Sequence, residues 1–228
     1  WYNPSLARWT TLDPMSEKYY EISCYTYCMN NPIRLIDING TDTLTFNWTG
    51  KITSYKQHKG NDVIQILDSK NNLMTTQLVM QKNSILFGSH QDTDKKKGTS
   101  YDVIAVNGDK NGENLYHYLS NNFGIEFSLA KTGNNPKDIN YITTSHEKGY
   151  ESSMTYFAID KKAFLRDGLR EISHNHPGRT LKASGQGEYD KNGDTNFARV
   201  IRSIYGNNVK FFIYIPKYGN QGDITISY

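Results

Sequence analysis

Two histidines one residue apart, His174 and His176, stand directly before Pro177. In an extended segment, residues i and i+2 point to the same side, so both imidazole rings can face one ion at the end of a strand that the proline stops. A hydrolytic zinc site usually takes three protein ligands and leaves one position for water. The pair therefore predicts two zinc ligands; the alternative is a pair of histidines with a surface or structural role.

A third ligand has to come from another part of the chain, and the polar, glycine-rich residues downstream supply it. The candidates are Ser184, Glu188, Asp190 and Asp194. Asp194 is followed by apolar residues at helical spacing, which are Phe197, Val200, Ile201 and Ile204. The spacing predicts a helix that begins near Asp194 and ends at Gly206. Asp194 is then either a metal ligand or a simple helix cap, and Asp190 stays open as a rival ligand.

With these residues in this order, the segment resembles the JAB/MPN metallopeptidases, whose JAMM signature places a glutamate on an early strand before His-x-His-Pro, Ser and Asp. The resemblance implies that His174, His176 and Asp194 hold zinc and that Ser184 steadies the tetrahedral oxyanion. It also implies an upstream glutamate as the general base for a water activated by zinc. The short Ser-x-x-Asp spacing of that family is stretched here, because Gly187 occupies the third position after Ser184.

The glutamate that fits this order is Glu126. It is the lone carboxylate of an apolar, strand-like segment, 123–133, which follows a predicted helix. A buried carboxyl group is costly unless it is paired or protonated, and a pKa raised towards neutrality suits a proton shuttle. The alternative is an edge strand with Glu126 facing solvent. Glu113 is the weaker candidate because a polar helix start explains it, and His117 and His146 are interpreted as surface or packing residues.

The first forty residues resemble the end of an Rhs repeat-associated core, in the stretches 1–14 and 25–40. The resemblance implies that the chain is the carboxy-terminal piece of a longer YD-repeat shell protein that encloses a variable toxin. Many members cleave themselves at a Pro-x-x-x-x-Asp-Pro-x-Gly element. Here Ile38 replaces the second proline, so cleavage near Asp37 and Gly40 stays open, and Asp37 is either its helper or a turn residue.

Composition argues for a soluble chain fragment of modest charge. Its 228 residues carry a formal net charge of +3. They contain no apolar run long enough to span a bilayer and no signal peptide, so an export signal is expected elsewhere. The small charge gives no argument for nucleic acid. Cys24 and Cys28 are interpreted as packing thiols, and the lysines 95–97 as a solvated loop.

The elements around these residues predict three parts. Residues 1–40 are the end of the Rhs core, 41–105 a β-rich linker or adaptor, and 106–228 a JAB-like metallopeptidase toxin domain. The clearest strands of the linker are 43–48 and 63–67, with hairpin turns at 59–62 and 70–72, and no catalytic cluster is found there. Residues 209–215 predict a central strand and 223–228 a closing one. The class is α/β, and the resemblance implies a JAB/MPN-like (cytidine-deaminase-like) mixed sheet with flanking helices.

The predicted function is that of the carboxy-terminal toxin of an Rhs-type polymorphic toxin, a zinc-dependent peptidase or isopeptidase that acts in bacterial competition. It is expected to be a secreted or cell-surface effector that acts on a protein or peptide in a target cell. Its other expected partners are a cognate immunity protein and the Rhs shell. The alternatives are an inactive JAB/MPN-like binding module and a metal-dependent nuclease toxin. The near-neutral charge around the histidines argues against the nuclease.

Overall fold

The computed structural model describes residues 2–3, 8–9, 41–58, 60–94, 99–149, 152–184, 193–217 and 223–228. The chain divides into two compact units, Trp1–Asn39 and Gly40–Tyr228. The described residues of the first unit form two short antiparallel strands, β1 (Tyr2–Asn3) and β2 (Arg8–Trp9). Several residues discussed above lie outside the described residues: Cys24, Cys28, Asp37, the lysines 95–97, Glu188 and Asp190.

Within its described residues, the second unit opens with a sheet of four strands. These are β3 (Thr41–Phe46), β4 (Ile52–His58), β5 (Asp62–Ile66) and β6 (Leu78–Met80), in the order β4-β3-β5-β6. Strand β3 pairs antiparallel with β4 and parallel with β5. The sheet is therefore mixed, and its second strand in sequence lies at one edge.

A larger mixed sheet follows, and its described part has seven strands in the order β13-β12-β11-β9-β10-β8-β7. They are β7 (Ile85–Asp94), β8 (Thr99–Asn107), β9 (Ser128–Thr132), β10 (Ile139–Thr144), β11 (Leu169–Asn175), β12 (Lys210–Ile215) and β13 (Ile224–Ser227). Within the described part of this sheet, β11 and β12 are the one pair of neighbours that runs parallel. The described helices are α1 (Asp109–Asn122), α2 (Ser152–Thr155) with a π-helical turn, Tyr156–Asp160, and α3 (Asp194–Tyr205).

Alternation along the strands gives the large sheet two apolar faces. On β9, Leu129 belongs to the core cluster that contains α1 and the smaller sheet, whereas its neighbour Ala130 belongs to the cluster that contains α3 and the π-helical turn. Leu115 and Leu119, four residues apart on α1, are fully buried in the first cluster. Burying a leucine side chain stabilises the fold by about 1.5–3 kcal/mol. Helices therefore cover both faces, and the smaller sheet extends the cover on the α1 side.

The predicted α/β class is confirmed, while the finer JAB/MPN-like, cytidine-deaminase-like topology stays a prediction. Helix α3 begins at Asp194 as the spacing predicts, and Gly206 follows it with φ 103°, a left-handed conformation that suits glycine. Strand β12 lies inside the sheet and β13 at its edge.

One predicted hairpin is wrong. Residues 59–62 connect β4 and β5, and these strands are separated by β3 instead of pairing with each other. The second predicted turn does join two antiparallel strands, β5 and β6, and Asn71 adopts φ 63° there. A turn signal marks where the chain reverses, but it does not specify which strand becomes the neighbour.

The large sheet extends across the predicted boundary at residue 105, because β7 and β8 lie almost wholly before it. The core cluster on the α1 side joins Leu44 and Ile64 of the smaller sheet to Leu115 of α1. None of the described helices is both long and apolar enough to cross a membrane.

Candidate metal centre

Strand β11 delivers the two histidines to the α3 side of the sheet. His174 lies two residues after Ile172, which packs in the core cluster of α3. Residues two apart in a strand point to the same face, so the side chain of His174 lies on the α3 side with that of Ile172. His176 follows the strand, and its N–H donates to the carbonyl of Tyr214 at 2.9 Å. The two Nε2 atoms converge to 2.9 Å from each other.

Asp194, the first residue of α3, completes the group. Its Oδ1 lies 3.4 Å from Nε2 of His174, and its Oδ2 lies 3.6 Å from Nε2 of His176. Donor atoms on one tetrahedral zinc stand about 3.3 Å apart, given zinc–ligand bonds of about 2.0–2.1 Å. The two nitrogens and one carboxylate therefore have the chemistry and the spacing of ligands to a single ion.

The outer ring nitrogens have partners that orient both imidazoles. Nδ1 of His176 donates to the carbonyl of Thr180 at 2.8 Å, which leaves a lone pair on the Nε2 that faces Asp194. Nδ1 of His174 lies 3.5 Å from the hydroxyl of Tyr228, whose ring packs edge-on against the imidazole. Sequence reasoning missed Tyr228 and Thr180, because no pattern marks a distant residue as a support for a ligand.

The electrostatics favour a charged carboxylate. Burial disfavours ionisation of Asp194, but the contacts with His174 and His176 outweigh burial and hold the pKa of Asp194 far below its ordinary value. Burial lowers the pKa of His176, yet Asp194 and the Thr180 carbonyl raise it by more. Burial and then the charge of Asp194 raise the pKa of Tyr228, so its hydroxyl stays protonated. The amino end of α3 also favours negative charge at Asp194.

Ser184 meets Asp194 although ten residues separate them. Its N–H donates to Oδ2 of Asp194 at 2.7 Å, and its Oγ accepts from the N–H of Asp194 at 3.0 Å. The serine thus satisfies the first N–H of α3 and fixes the carboxylate in place. A hydroxyl that accepts one hydrogen bond keeps its own proton to donate.

Glu126 lies two residues before β9, in the connection from α1, whereas the sequence predicts that the strand starts earlier. Its residue exposure is 9%, which agrees with a buried base better than with a solvent-facing strand. Its N–H donates to the carbonyl of Glu147 at 2.7 Å, and its carbonyl accepts from Oγ1 of Thr144 at 2.7 Å. The backbone of Glu126 is therefore held on two sides.

A cleft of about 420 Å³ joins these residues. Its lining includes all five residues singled out from the sequence, namely Glu126, His174, His176, Ser184 and Asp194. Ser128 and Lys148, which sequence reasoning missed, also line it. Glu113 instead pairs with Lys131 at 2.6 Å on the α1 side of the sheet, and His117 stacks on Tyr214 with a ring separation of 4.2 Å.

Among the described residues, two groups of three side chains bring potential ligand atoms within 4.8 Å of one another. One is His174, His176 and Asp194; the other is His90, Asp102 and His146. Possible metal-binding groups of histidine and aspartate therefore exist in the chain. The second group draws on the segment 41–105, in which sequence reasoning found no cluster, and on His146, which it interpreted as a surface or packing residue.

Comparison with known proteins agrees with the geometry of this region. Residues 104–199 match the family model described as JAB-like toxin 1. The match runs from β8 into α3 and includes Glu126, both cleft histidines, Ser184 and Asp194. It supports a JAB-like toxin domain here, while the Rhs-core resemblance of residues 1–40 stays a prediction. The chain matches no curated protein and no solved structure.

Proposed function

We propose that the JAB-like toxin domain is a zinc-dependent peptidase or isopeptidase. The observation that carries the proposal is the convergence of His174, His176 and Asp194 in a cleft that Glu126 also lines. Two imidazoles and one carboxylate match the three-ligand sets of hydrolytic zinc sites. The match to a toxin family supports a hydrolytic toxin.

The roles follow from the contacts. His174, His176 and Asp194 would hold the ion, with Thr180 and Tyr228 orienting the rings. Zinc, when bound, polarises a carbonyl and lowers the pKa of water. The carboxylate of Glu126 accepts a proton from the attacking water and returns it to the leaving amine. Ser184 keeps Asp194 in place, and its hydroxyl proton is available to donate to the oxyanion.

The cellular setting of the proposal rests on the two resemblances. We infer an effector that an Rhs-type shell carries, that acts on a protein or peptide of a target cell and that an immunity protein neutralises. Residues 1–40 supply the argument for the shell, and the match at 104–199 supplies the argument for the toxin. Secretion and the immunity partner are proposals of the same kind.

The proposal is tested by expressing the 228-residue chain in a bacterial host and following both growth and new protein amino termini. We expect wild type to slow growth and create new termini. Glu126→Gln should reduce cleavage at least about 100-fold, because general base catalysis contributes about 10²–10⁴-fold. Glu147→Gln is the matched control, since it removes the same charge from an exposed side chain on the adjoining loop.

Each result has a distinct meaning. Bound zinc without new termini and without cleavage of an isopeptide-linked peptide would favour the inactive binding module, because isopeptide hydrolysis frees a lysine amine instead of an amino terminus. Undiminished cleavage by Glu126→Gln would remove Glu126 as the base. Undiminished toxicity of His174→Ala/His176→Ala would end the metal-dependent mechanism, and degraded nucleic acid with intact proteins would identify the nuclease.

A further inference from the structure

His90, Asp102 and His146 form a compact cluster outside the cleft. Nδ1 of His90 lies 2.6 Å from Oδ1 of Asp102, and Nε2 of His146 lies 3.0 Å from Oδ2. Three segments of the large sheet bring them together. Asp102 lies on β8 directly opposite His90 on β7, and its partner on β10 is Thr144, two residues before His146.

The cluster lies on the other face of the sheet from the histidines of the cleft. Asp102 lies two residues before Ile104 on β8, so the two side chains share a face, and Ile104 belongs to the core cluster of α1 and the smaller sheet. His174 lies two residues after Ile172 on β11 and shares its face, and Ile172 belongs to the core cluster of α3. The two groups of ligands are thus separate sites, and none of His90, Asp102 and His146 lines the cleft.

Two features of the cluster point to a cation. The side chain of Asp102 is only 1% exposed, so its charge requires strong compensation. Nε2 of His146 is buried and, despite its short distance from Asp102, makes no hydrogen bond to any described residue. A buried nitrogen without a hydrogen bond destabilises the fold unless another group uses its lone pair or its proton. Coordination to a metal would use that nitrogen and the carboxylate together.

We propose that His90, Asp102 and His146 form a second binding site for a divalent transition-metal ion such as Zn²⁺. Two imidazole nitrogens and one carboxylate oxygen suit zinc and its neighbours, whereas magnesium and calcium prefer oxygen ligands alone. The three donors lie within 4.8 Å of one another, so small side-chain movements bring them onto one ion.

The role of this site is structural, because it ties together the parts that surround Glu126. Oδ2 of Asp102 accepts from the N–H of Ile52 at 2.5 Å, which links the large sheet to the smaller one. His146 precedes Glu147, whose carbonyl accepts from the N–H of Glu126. An ion at this site would fix the loop that holds the base. The inference does not depend on peptidase activity.

Metal binding by the 228-residue chain tests the site directly. The His174→Ala/His176→Ala variant leaves the second cluster unaltered, so titrating it with Co²⁺ reports that cluster through its visible absorption. We expect about one ion per chain, and about two for wild type. Adding His90→Gln/His146→Gln should weaken the remaining binding at least about 100-fold, while the amides still hydrogen-bond Asp102. Far-UV circular dichroism checks that each variant is folded.

The outcomes separate the two sites. If the His174→Ala/His176→Ala variant is folded and binds no Co²⁺ or Zn²⁺, the second site does not exist, whatever the first one does. Undiminished binding after the glutamine substitutions would also overturn it. A second site that binds in a chain without peptidase activity would leave this inference intact and remove only the proposed function.

Discussion

Asn175, the residue between the cleft histidines, clamps the backbone on both sides of Glu126. Its side chain faces away from the histidines and is fully buried. Oδ1 accepts from the N–H of Phe127 at 2.5 Å, and Nδ2 donates to the carbonyl of Ile125 at 3.0 Å. The His-Asn-His tripeptide therefore places two potential ligands on one face and positions Glu126 from the other.

Replacing Asn175 by alanine leaves the N–H of Phe127 and the carbonyl of Ile125 without these partners. We expect Asn175→Ala to lower the free energy of unfolding by about 2–4 kcal/mol, measured by urea denaturation, because each unsatisfied buried group costs about 1–3 kcal/mol. Asn122→Ala, at an exposed position on α1, is the control and should change stability by less than about 0.5 kcal/mol. Equal changes in the free energy of unfolding of the two variants would show that the hydrogen bonds of Asn175 contribute little to stability.

At the residue scale, the sequence singles out the histidines of the cleft more readily than the residues that hold them in place. His174 and His176 stand out because a spacing of two in a strand places both rings on one side. Asn175 carries no such signal, since the sequence around an asparagine does not show whether its side chain is exposed or binds the backbone of a distant loop. The cluster of His90, Asp102 and His146 depends on how β7 and β8 align and on where the loop after β10 lies, and the sequence does not specify that register.

Helix α1 is fixed at its start by an ion pair that spans three elements. Both Nη atoms of Arg170, on β11, donate to the carboxylate of Asp109, the first residue of α1, at 2.8 and 3.1 Å. Arg170 also donates to the carbonyl of Thr132 at the end of β9. Burial raises the pKa of Asp109, but the hydrogen bonds from Arg170 and Asn140 outweigh it and lower the pKa.

This pair predicts a pH dependence of stability. A carboxyl group whose pKa is lower in the folded chain stabilises the fold above its unfolded pKa, here near 3.8, and loses that contribution as pH falls through the folded value. We expect Asp109→Asn to reduce the free energy of unfolding by about 1–2 kcal/mol at neutral pH. The deficit should shrink below about pH 4, measured by urea denaturation across pH.

Arg170→Met provides the matched background for that measurement. Without the guanidinium, Asp109→Asn should have a smaller effect at neutral pH and a weaker pH dependence. The same pH dependence in both backgrounds would assign the effect to the helix dipole instead of the ion pair.

At the element scale, periodicity predicts α3 and the strands β3, β5, β12 and β13 to within a few residues. The spacing of apolar residues depends on local backbone geometry, so it survives without knowledge of the fold. The pairing of strands does not depend on local geometry alone, and this is why the turn at 59–62 does not make the predicted hairpin. Leu44 of β3 and Ile64 of β5 are fully buried in the core cluster that also contains Leu115 of α1, and this burial among distant segments accompanies the observed strand order.

At the scale of the whole molecule, the smaller sheet and the sheet that carries the cleft share one core. Leu44 and Ile64 belong to the same cluster as Ile104, Leu115 and Phe127. Phe127 directly follows Glu126, so this core also supports the backbone of Glu126. The sequence shows a change of pattern near residue 105 but not that strands on both sides of it pack together, because burial between distant segments leaves no local mark.

The shared core predicts that residues 106–228 do not fold alone. A chain cut at residue 106 loses β7 and nearly all of β8, which leaves β10 as an unpaired edge and exposes the apolar face of α1. We expect residues 40–228 to give one cooperative urea transition, whereas residues 106–228 should unfold gradually and bind a hydrophobic dye. Cooperative unfolding of 106–228 with an unchanged midpoint would instead make 41–105 a separate adaptor. In that case residues 106–228 alone would determine the geometry of the cleft. The hydrogen bond from the N–H of Ile52 to Asp102, beside the loop next to Glu126, would then have no effect on the cleft.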